Sequence, residues 1–277
     1  MRADRWAMLM DGGSATGPRL LDELAARATS SSVDRTFDGW LAKAAPDVPF
    51  RRCNTVLPPA GAGDDPAAVH IAMEAIERWY AGLGQRVIVL ISSADPGGSA
   101  LDDLLAARDY VVEAPVSVMT REIAADVTTE SRSDLGRGLE VVVTDGLDEA
   151  WAIRYGEVHG SDAEARRRTH AYGRMLGVLA HDALGAVALA DGVPAGVGFG
   201  VLDAGWLGIF GMATSPALRR RGVAGAVVNG LIHRAAERGA TAAYLQVETD
   251  NAPAMALYQA MGFTRSHRYH YRVSALR

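Results

Sequence analysis

A strand, a proline, three arginines and a glycine-rich helix start follow one another in residues 209–226, IFGMATSPALRRRGVAGA. The predicted strand ends before Pro216, and an amphipathic helix is predicted over residues 220–238. The first turn of a helix leaves backbone N–H groups unpaired, and the helix dipole makes that end positive. Gly222 lets a pyrophosphate approach the backbone closely, and the small Ala224 keeps that approach open. The segment therefore predicts a binding site for a diphosphate.

The three arginines, Arg219, Arg220 and Arg221, add positive charge to this helix start. A guanidinium group can donate two parallel hydrogen bonds to a phosphate. No Gly-Lys-Ser/Thr follows, so the segment is not a P-loop, and the glycines lack the G-x-G-x-x-G spacing of a dinucleotide-binding fold. The simpler alternative is an arginine-rich helix end that only contacts solvent.

A second motif covers residues 245–263, LQVETDNAPAMALYQAMGF. Asn251 stands at a predicted helix N-cap, and Pro253 begins a helix that is predicted to end at Met261. One face of this helix carries Ala254, Leu257, Tyr258 and Met261. Tyr258 is therefore predicted on the buried face, with its hydroxyl able to point at whatever lies between the helix and the preceding strand. A core tyrosine without a chemical role is the alternative.

Together these motifs resemble the GNAT N-acetyltransferase superfamily. Arg219-x-x-Gly222-x-Ala224 resembles its pyrophosphate-binding motif, and N-x-x-A-x-x-L-Y-x-x-x-G-F in residues 251–263 resembles its second hallmark. The resemblance extends over about residues 139–273 and includes the order of helices and strands. Ala224 stands where the family often has glycine, which is a permitted variant.

The resemblance implies that acetyl-CoA is the cosubstrate and that no metal takes part. Acetyl-CoA would lie in a V-shaped gap between the strand that ends at Thr214 and the strand 243–248. The backbone of Met212, Ala213 and Thr214 would pair with the pantetheine arm and polarise the thioester carbonyl. The pyrophosphate would be held by the amides of Arg220, Arg221, Gly222, Val223, Ala224 and Gly225.

The resemblance also implies catalytic roles. Tyr258 would donate a proton or a hydrogen bond to the departing thiolate, and Asn251 would bind the cosubstrate or fix the local loop. An alkylammonium has a pKa near 10, so a proton must leave before the nitrogen attacks. Glu248 is the candidate general base, with a water chain or another carboxylate as alternatives.

A helix pair predicted over residues 148–179 would form the acceptor side in such a fold. Tyr155, Glu157, His159, His170 and Tyr172 lie on it. For each of them, a surface or packing role is the simpler interpretation.

The two halves of the chain show a weak internal repeat. In each half a helix that ends at a glycine, Gly84 or Gly239, precedes a short strand, a second helix and a further strand. The first half has no R-x-x-G-x-G/A pattern, so it resembles a degenerate copy. We predict an α/β (α+β) class with a mixed central sheet flanked by helices, a GNAT fold duplicated in tandem. Residues 1–130 would be the degenerate domain and residues 137–277 the catalytic domain.

The charge distribution and the composition of the chain indicate which ligands and which cellular environment suit it. Residues 1–135 carry 13 Lys+Arg against 20 Asp+Glu, whereas residues 136–277 carry 15 against 13. The second half therefore suits an anionic ligand better, but no basic tract of the nucleic-acid-binding kind occurs. Cys53 is the only cysteine, and no run of about 18 apolar residues is present, which favours a cytoplasmic protein.

We expect a bacterial N-acetyltransferase that acts on a small-molecule primary amine, binds neither nucleic acid nor membrane, and works as a monomer (a pseudo-dimer) or homodimer. The alternatives are a protein lysine or N-terminal acetyltransferase and a noncatalytic acyl-CoA sensor. Mycothiol synthase, itself a tandem GNAT protein, is a narrower possibility.

Overall fold

A computed structural model of the chain describes residues 17–29, 31–124, 138–159, 166–167, 169–170 and 182–275. Its contacts divide the chain into two compact units. The first unit contains the described residues up to Val118, the segment Val247–Asn251, and the described residues from Arg265 onward. The second unit contains the described residues of Met119–Gln246 and of Ala252–Thr264.

The helices and strands follow one another along both units. In chain order they are α1 (Pro18–Ala28), β1 (Val33–Phe37), β2 (Trp40–Ala44), β3 (Val56–Leu57), α2 (Pro66–Gly82), β4 (Ile88–Ser92), α3 (Gly98–Ala106), β5 (Val111–Glu122), β6 (Leu139–Asp145), α4 (Glu149–His159), β7 (Ala183–Ala190), β8 (Val193–Asp203), β9 (Trp206–Thr214), α5 (Val223–Glu237), β10 (Ala242–Glu248), α6 (Ala252–Ala260) and β11 (Thr264–Val273).

The first unit is built on strands in the order β1-β2-β3-β4-β11. β3 and β4 are parallel, and the other neighbours are antiparallel. β1 and β2 form a hairpin whose turn residues, Asp38 and Gly39, both have positive φ angles, 43° and 85°. This hairpin is absent from the predicted elements, although an Asp-Gly pair between two short extended segments is its usual signal.

Helix α2 packs on the core of the first unit through a buried apolar stripe. This core includes Trp40, Val56, Val69, Met73, Ile76, Tyr80, Val89 and Leu105. The backbone amides at the amino end of α2 are capped by a side chain. Asp65 Oδ1 accepts hydrogen bonds from the amides of Ala67 (3.0 Å) and Ala68 (3.1 Å).

The second unit is built on strands in the order β10-β9-β8-β7-β6. β9 and β10 are parallel, and the other neighbours are antiparallel. Helix α5 lies close against β8, because a Cβ placed on Gly196 would be only 2.5 Å from Val223 Cγ1. Helix α4 covers the opposite face, where Trp151 packs edge-on against Phe199 with ring centroids 5.8 Å apart.

Each unit contains strand residues from the other half of the sequence. The carboxyl-terminal residues 269–273 of β11 pair with β4 in the first unit. Conversely, residues 119–124 belong to the second unit, where the Ile123 amide donates to the carbonyl oxygen of Thr241 (2.8 Å). The predicted domain boundaries, 1–130 and 137–277, stay a prediction, since the compact units interleave along the chain.

The predicted class, a mixed sheet flanked by helices, is confirmed by the parallel and antiparallel strands and the helices of both units. The segment 110–119 is one long strand, β5, rather than a strand pair. Most of the predicted helix 163–179, with Tyr172, and most of the predicted linker 124–137 lie outside the described residues.

Candidate active site

Strand β9 carries a bulge at Gly211. Val197 of β8 pairs with Ala213, whereas Phe199 pairs with Phe210, so two residues of β9 face a single residue of β8. Gly211 has a φ of 60°, a left-handed conformation that glycine adopts without strain. The bulge changes the direction in which the following residues, up to Thr214, present their backbone groups. An isolated glycine inside a predicted strand is the sequence signal for such a bulge, and the bulge is absent from the predicted features.

The bulge lies where β9 and β10 stop pairing. Residues 242–245 of β10 pair with residues 206–209 of β9, and among the described residues no pairing follows. Both strands continue beyond that point, β9 to Thr214 and β10 through Gln246. Two parallel strands that are paired only at their amino ends leave a gap at their carboxyl ends. The resemblance to the GNAT superfamily implies such a gap between these two strands as the place where acetyl-CoA would lie.

Helix α5 begins at this end of β9 without a side-chain cap. The helix starts at Val223, three residues later than predicted, and Arg220 and Arg221 belong to the preceding loop. Gly222 is the N-cap residue, with a φ of 79° and no atom within 4 Å of where a Cβ would be. The amides of residues 223–225 are therefore the first-turn donors, since the first intrahelical bond runs from the Ala226 amide to Gly222.

The three arginines before α5 are exposed. Within the part of the chain that the structure describes, Arg219, Arg220 and Arg221 form no ion pair. Arg220 adopts a positive φ of 64°, which is uncommon for a residue with a side chain. Three unneutralised guanidinium groups beside uncapped amides make this helix start electropositive.

Tyr258 lies on α6 and is 7% exposed. Its ring packs edge-on against Phe263 at 6.0 Å, and burial raises the pKa of its hydroxyl. The hydroxyl therefore stays protonated at neutral pH, as a hydrogen-bond or proton donor must. Helix α6 also contacts the start of α5, because the Cβ position of Gly225 is 3.9 Å from both Leu257 Cδ1 and Met261 Sδ. The structure thus brings the start of α5 and the helix that carries Tyr258 together within one unit.

Glu248 and Asn251 fall in the first unit rather than the second. Glu248 ends β10 and is exposed, with Oε1 3.9 Å from Arg51 Nη1. The Asn251 amide donates to the Glu248 carbonyl oxygen (3.1 Å), and α6 begins at the next residue.

The candidate acceptor residues that the structure describes differ in their surroundings. Tyr155 is buried between Trp151 and His159, with ring centroids 5.3 and 4.4 Å away. Glu157 and His170 are exposed. Tyr155 is therefore a packing residue, as the simpler interpretation had it.

Two other kinds of site are absent from the described part of the chain. No three His, Cys, Asp or Glu side chains come together there as a metal site. No helix there combines the length and the apolar character that a membrane crossing requires.

Comparison with known proteins identifies the family. Residues 17–272 match the family described as "Probable histone acetyltransferase Rv0428c C-terminal". The chain belongs to this family. No protein with a curated description matches its sequence.

Several solved structures resemble this chain over almost its whole length. A GCN5-related N-acetyltransferase from Kribbella flavida is 17% identical, with a TM-score of 0.69, and the match covers 94% of this chain and 97% of that one. A tandem GNAT protein from the clavulanic acid biosynthesis pathway is 14% identical, with a TM-score of 0.62 and coverage of 98% and 94%. A conserved protein of unknown function from Staphylococcus epidermidis is 11% identical, with a TM-score of 0.62 and coverage of 87% and 93%. At such identities the likeness establishes the fold, and the predicted GNAT fold is confirmed.

Proposed function

We propose that this protein transfers the acetyl group of acetyl-CoA to a primary amine, most simply that of a small molecule, by direct attack in a ternary complex. The observation that carries the proposal is the start of α5. Its first-turn amides have no side-chain cap, the three arginines that precede it have no ion-pair partner among the described residues, and it follows the gap between β9 and β10. Uncapped amides and guanidinium groups suit the diphosphate of coenzyme A.

The reaction forms a C–N bond and breaks a C–S bond. The neutral amine nitrogen attacks the thioester carbonyl carbon, and backbone groups of Met212, Ala213 and Thr214 would stabilise the charge on the carbonyl oxygen. The sulfur leaves as a thiolate and takes a hydrogen bond or a proton from Tyr258, and the proton that the nitrogen releases as the amide forms ends on the thiol or restores the Tyr258 hydroxyl. The raised pKa of that hydroxyl supports this role. Asn251, directly before α6, would help to bind the cosubstrate.

The proton of the amine must leave before attack, and Glu248 is the proposed base. Its carboxylate is exposed and can exchange protons with water. Arg51 Nη1 lies 3.9 Å from Glu248 Oε1. A water chain is the alternative acceptor for this proton.

One acetyl-CoA per chain is proposed. Helix α2 is the element of the first half that corresponds to α5 in the internal repeat, and Asp65 already occupies its first-turn amides. A carboxylate at this position both satisfies the donors and repels a diphosphate. We further propose a cytoplasmic monomer or homodimer that binds neither nucleic acid nor membrane.

A protein amine is the second candidate acceptor, because the family description names a histone acetyltransferase. Free-thiol release from acetyl-CoA separates the candidates when it is measured against a library of small amines and against a histone-tail peptide. Turnover with a small amine supports the leading proposal, and turnover with the peptide alone supports the second. Coenzyme A binding without turnover on any acceptor would indicate an acyl-CoA sensor.

A further inference from the structure

A hydroxyl, an imidazole and a carboxylate form a chain of contacts in the first unit, and the proposed acetyl transfer does not use them. Ser266 Oγ lies 3.1 Å from His267 Nδ1, and His267 Nε2 lies 3.0 Å from Asp22 Oδ1. Ser266 and His267 are neighbours on β11, Asp22 belongs to α1, and all three residues are in the first unit. An imidazole that links a hydroxyl to a carboxylate is the arrangement by which a serine is activated as a nucleophile.

The carboxylate and the imidazole are buried, whereas the serine is at the surface. The side chains of His267 and Asp22 are 3% and 1% exposed, and Ser266 is an exposed residue. The alternation of β11 explains the difference, because residues 267, 269, 271 and 273 are buried while residues 266 and 268 are exposed. A reagent can therefore reach the hydroxyl, while the groups behind it are shielded from water.

The imidazole is held in place from both sides. Both ring nitrogens are in hydrogen-bond contact, and Asp22 Oδ2 has no partner among the described residues, so the ring is the contact that the structure gives this carboxylate. The backbone next to the ring is fixed as well. The Arg268 amide donates to Ser93 Oγ (3.1 Å), and the Ser93 amide donates to the Arg268 carbonyl oxygen (2.9 Å). Groups supported in this way keep the geometry that a proton transfer requires.

We propose that Ser266 is a nucleophile that accepts acyl groups from small carboxylic esters, with His267 as its base and Asp22 as the residue that positions the ring. Asp22 Oδ1 accepts the Nε2 hydrogen, which leaves the Nδ1 lone pair for the hydroxyl hydrogen. This site does not rest on the proposed acetyl transfer.

The reaction at Ser266 has two steps. In the first, Ser266 Oγ bonds to the carbonyl carbon, its proton passes to His267 Nδ1, and the ester C–O bond breaks as the alcohol leaves with that proton. In the second, water attacks the acyl-serine and gives a proton to Nδ1. The carboxylic acid is released, and the proton on Nδ1 restores the Ser266 hydroxyl.

Hydrolysis of p-nitrophenyl acetate by the full chain, followed as release of p-nitrophenolate, tests the proposal. Ser266→Ala should lower the rate at least about tenfold, because a positioned base and nucleophile are lost together. Ser99→Ala, which removes an exposed serine on α3 of the same unit, is the matched control and should keep the full rate. Asp22→Asn should lower kcat at least about tenfold and leave KM nearly unchanged, because the carboxylate holds the ring but does not touch the ester.

A fluorophosphonate provides a second measurement on the natural chain. Ser266 Oγ should form a P–O bond as the P–F bond breaks and hydrogen fluoride leaves, and mass spectrometry of the peptides should find the label on Ser266. If Asp22→Asn does not fold, the label and the two serine variants decide. Equal hydrolysis by Ser266→Ala and Ser99→Ala, or a chain that carries no label on Ser266, would overturn the proposal. An unchanged kcat in folded Asp22→Asn would overturn the role of the carboxylate.

Discussion

Gly225, in the first turn of α5, lies against Leu257 of α6, with 3.9 Å between its Cβ position and Leu257 Cδ1. This contact joins the diphosphate motif to the helix that carries Tyr258. A distance of 3.9 Å is an ordinary van der Waals separation, so the two helices already leave room for a methyl group here.

Gly225→Ala should therefore keep the fold and raise the free energy of unfolding by about 0.5 to 1 kcal/mol, because alanine favours a helix over glycine. Gly230→Ala on the same helix is the matched control. Its Cβ would be 2.8 Å from Val141 Cγ1, so this change should lower stability. Urea denaturation of both variants measures the difference, and equal destabilisation would contradict the contact at Gly225.

Gly222 and Gly239 flank α5 with similar backbones, at φ 79° and 85°, and both have open space at the Cβ position. Alanine at either position should cost about 1 to 2 kcal/mol of stability because of the left-handed conformation. Only Gly222→Ala should also weaken acetyl-CoA binding, by about tenfold or more, since its methyl group would enter the open space beside the helix start where the diphosphate is proposed to bind. Calorimetric titration measures the affinity, and an equal loss in both variants would argue against a diphosphate site at this helix start.

Tyr258→Phe should lower kcat by about one to two orders of magnitude and leave acetyl-CoA affinity nearly unchanged, because only the hydroxyl is lost. The raised pKa of Tyr258 adds a pH test. Because burial holds the pKa of this hydroxyl above its ordinary value, kcat should show no loss from its deprotonation in the pH range where an exposed tyrosine begins to ionise. Tyr244→Phe, in the buried core of the same unit, is the control. Unchanged turnover in Tyr258→Phe would refute the donor role.

Lys43, the only lysine, is buried and hydrogen-bonds to the end of α1. Its ammonium donates to the Ala26 carbonyl oxygen at 2.6 Å, to the Thr29 carbonyl oxygen, and to Thr29 Oγ1 at 3.2 Å. Burial lowers the pKa of Lys43 from 10.5 to about 8. Between these values the unfolded chain binds more protons than the folded chain, so the free energy of unfolding should rise with pH across that interval.

The rise should amount to about 3 kcal/mol relative to Lys43→Met, which lacks the titrating group. Denaturation of both proteins at pH 7, 8, 9 and about 10 gives the difference and cancels the titration of other groups. A difference that is constant over this range would contradict the lowered pKa.

The interleaved strands predict that neither half of the chain folds well alone. Residues 1–130 lack the β11 residues that pair with β4, and residues 137–277 lack residues 119–122 at the end of β5. Each half should show weak or noncooperative thermal unfolding by circular dichroism, and co-expression should yield a stable complex by size-exclusion chromatography. A monomeric, cooperatively folding 1–130 fragment would contradict the exchange of strands.

Local features were predictable because they depend on residues close together in the sequence. The diphosphate motif, Tyr258 on a buried helix face and the strand before Pro216 each follow from spacing and turn chemistry. The start of α5 was placed three residues too early, because the periodicity of the helix does not show that Arg220 and Gly222 adopt positive φ angles. The bulge at Gly211 also depends on which residue of β8 lies opposite, and that pairing is set by the fold.

The sequence alone therefore determined the family resemblance, the α/β class and the residues of the helix start, since these rest on local spacing. Only the tertiary structure decided that residues 269–273 pair with β4, and that Gly225 meets Leu257. The physical reason is that strand pairing is made by backbone hydrogen bonds, which every residue except proline can form. Partners far apart in the chain are thus selected by the packing of the whole unit rather than by the residues of either strand.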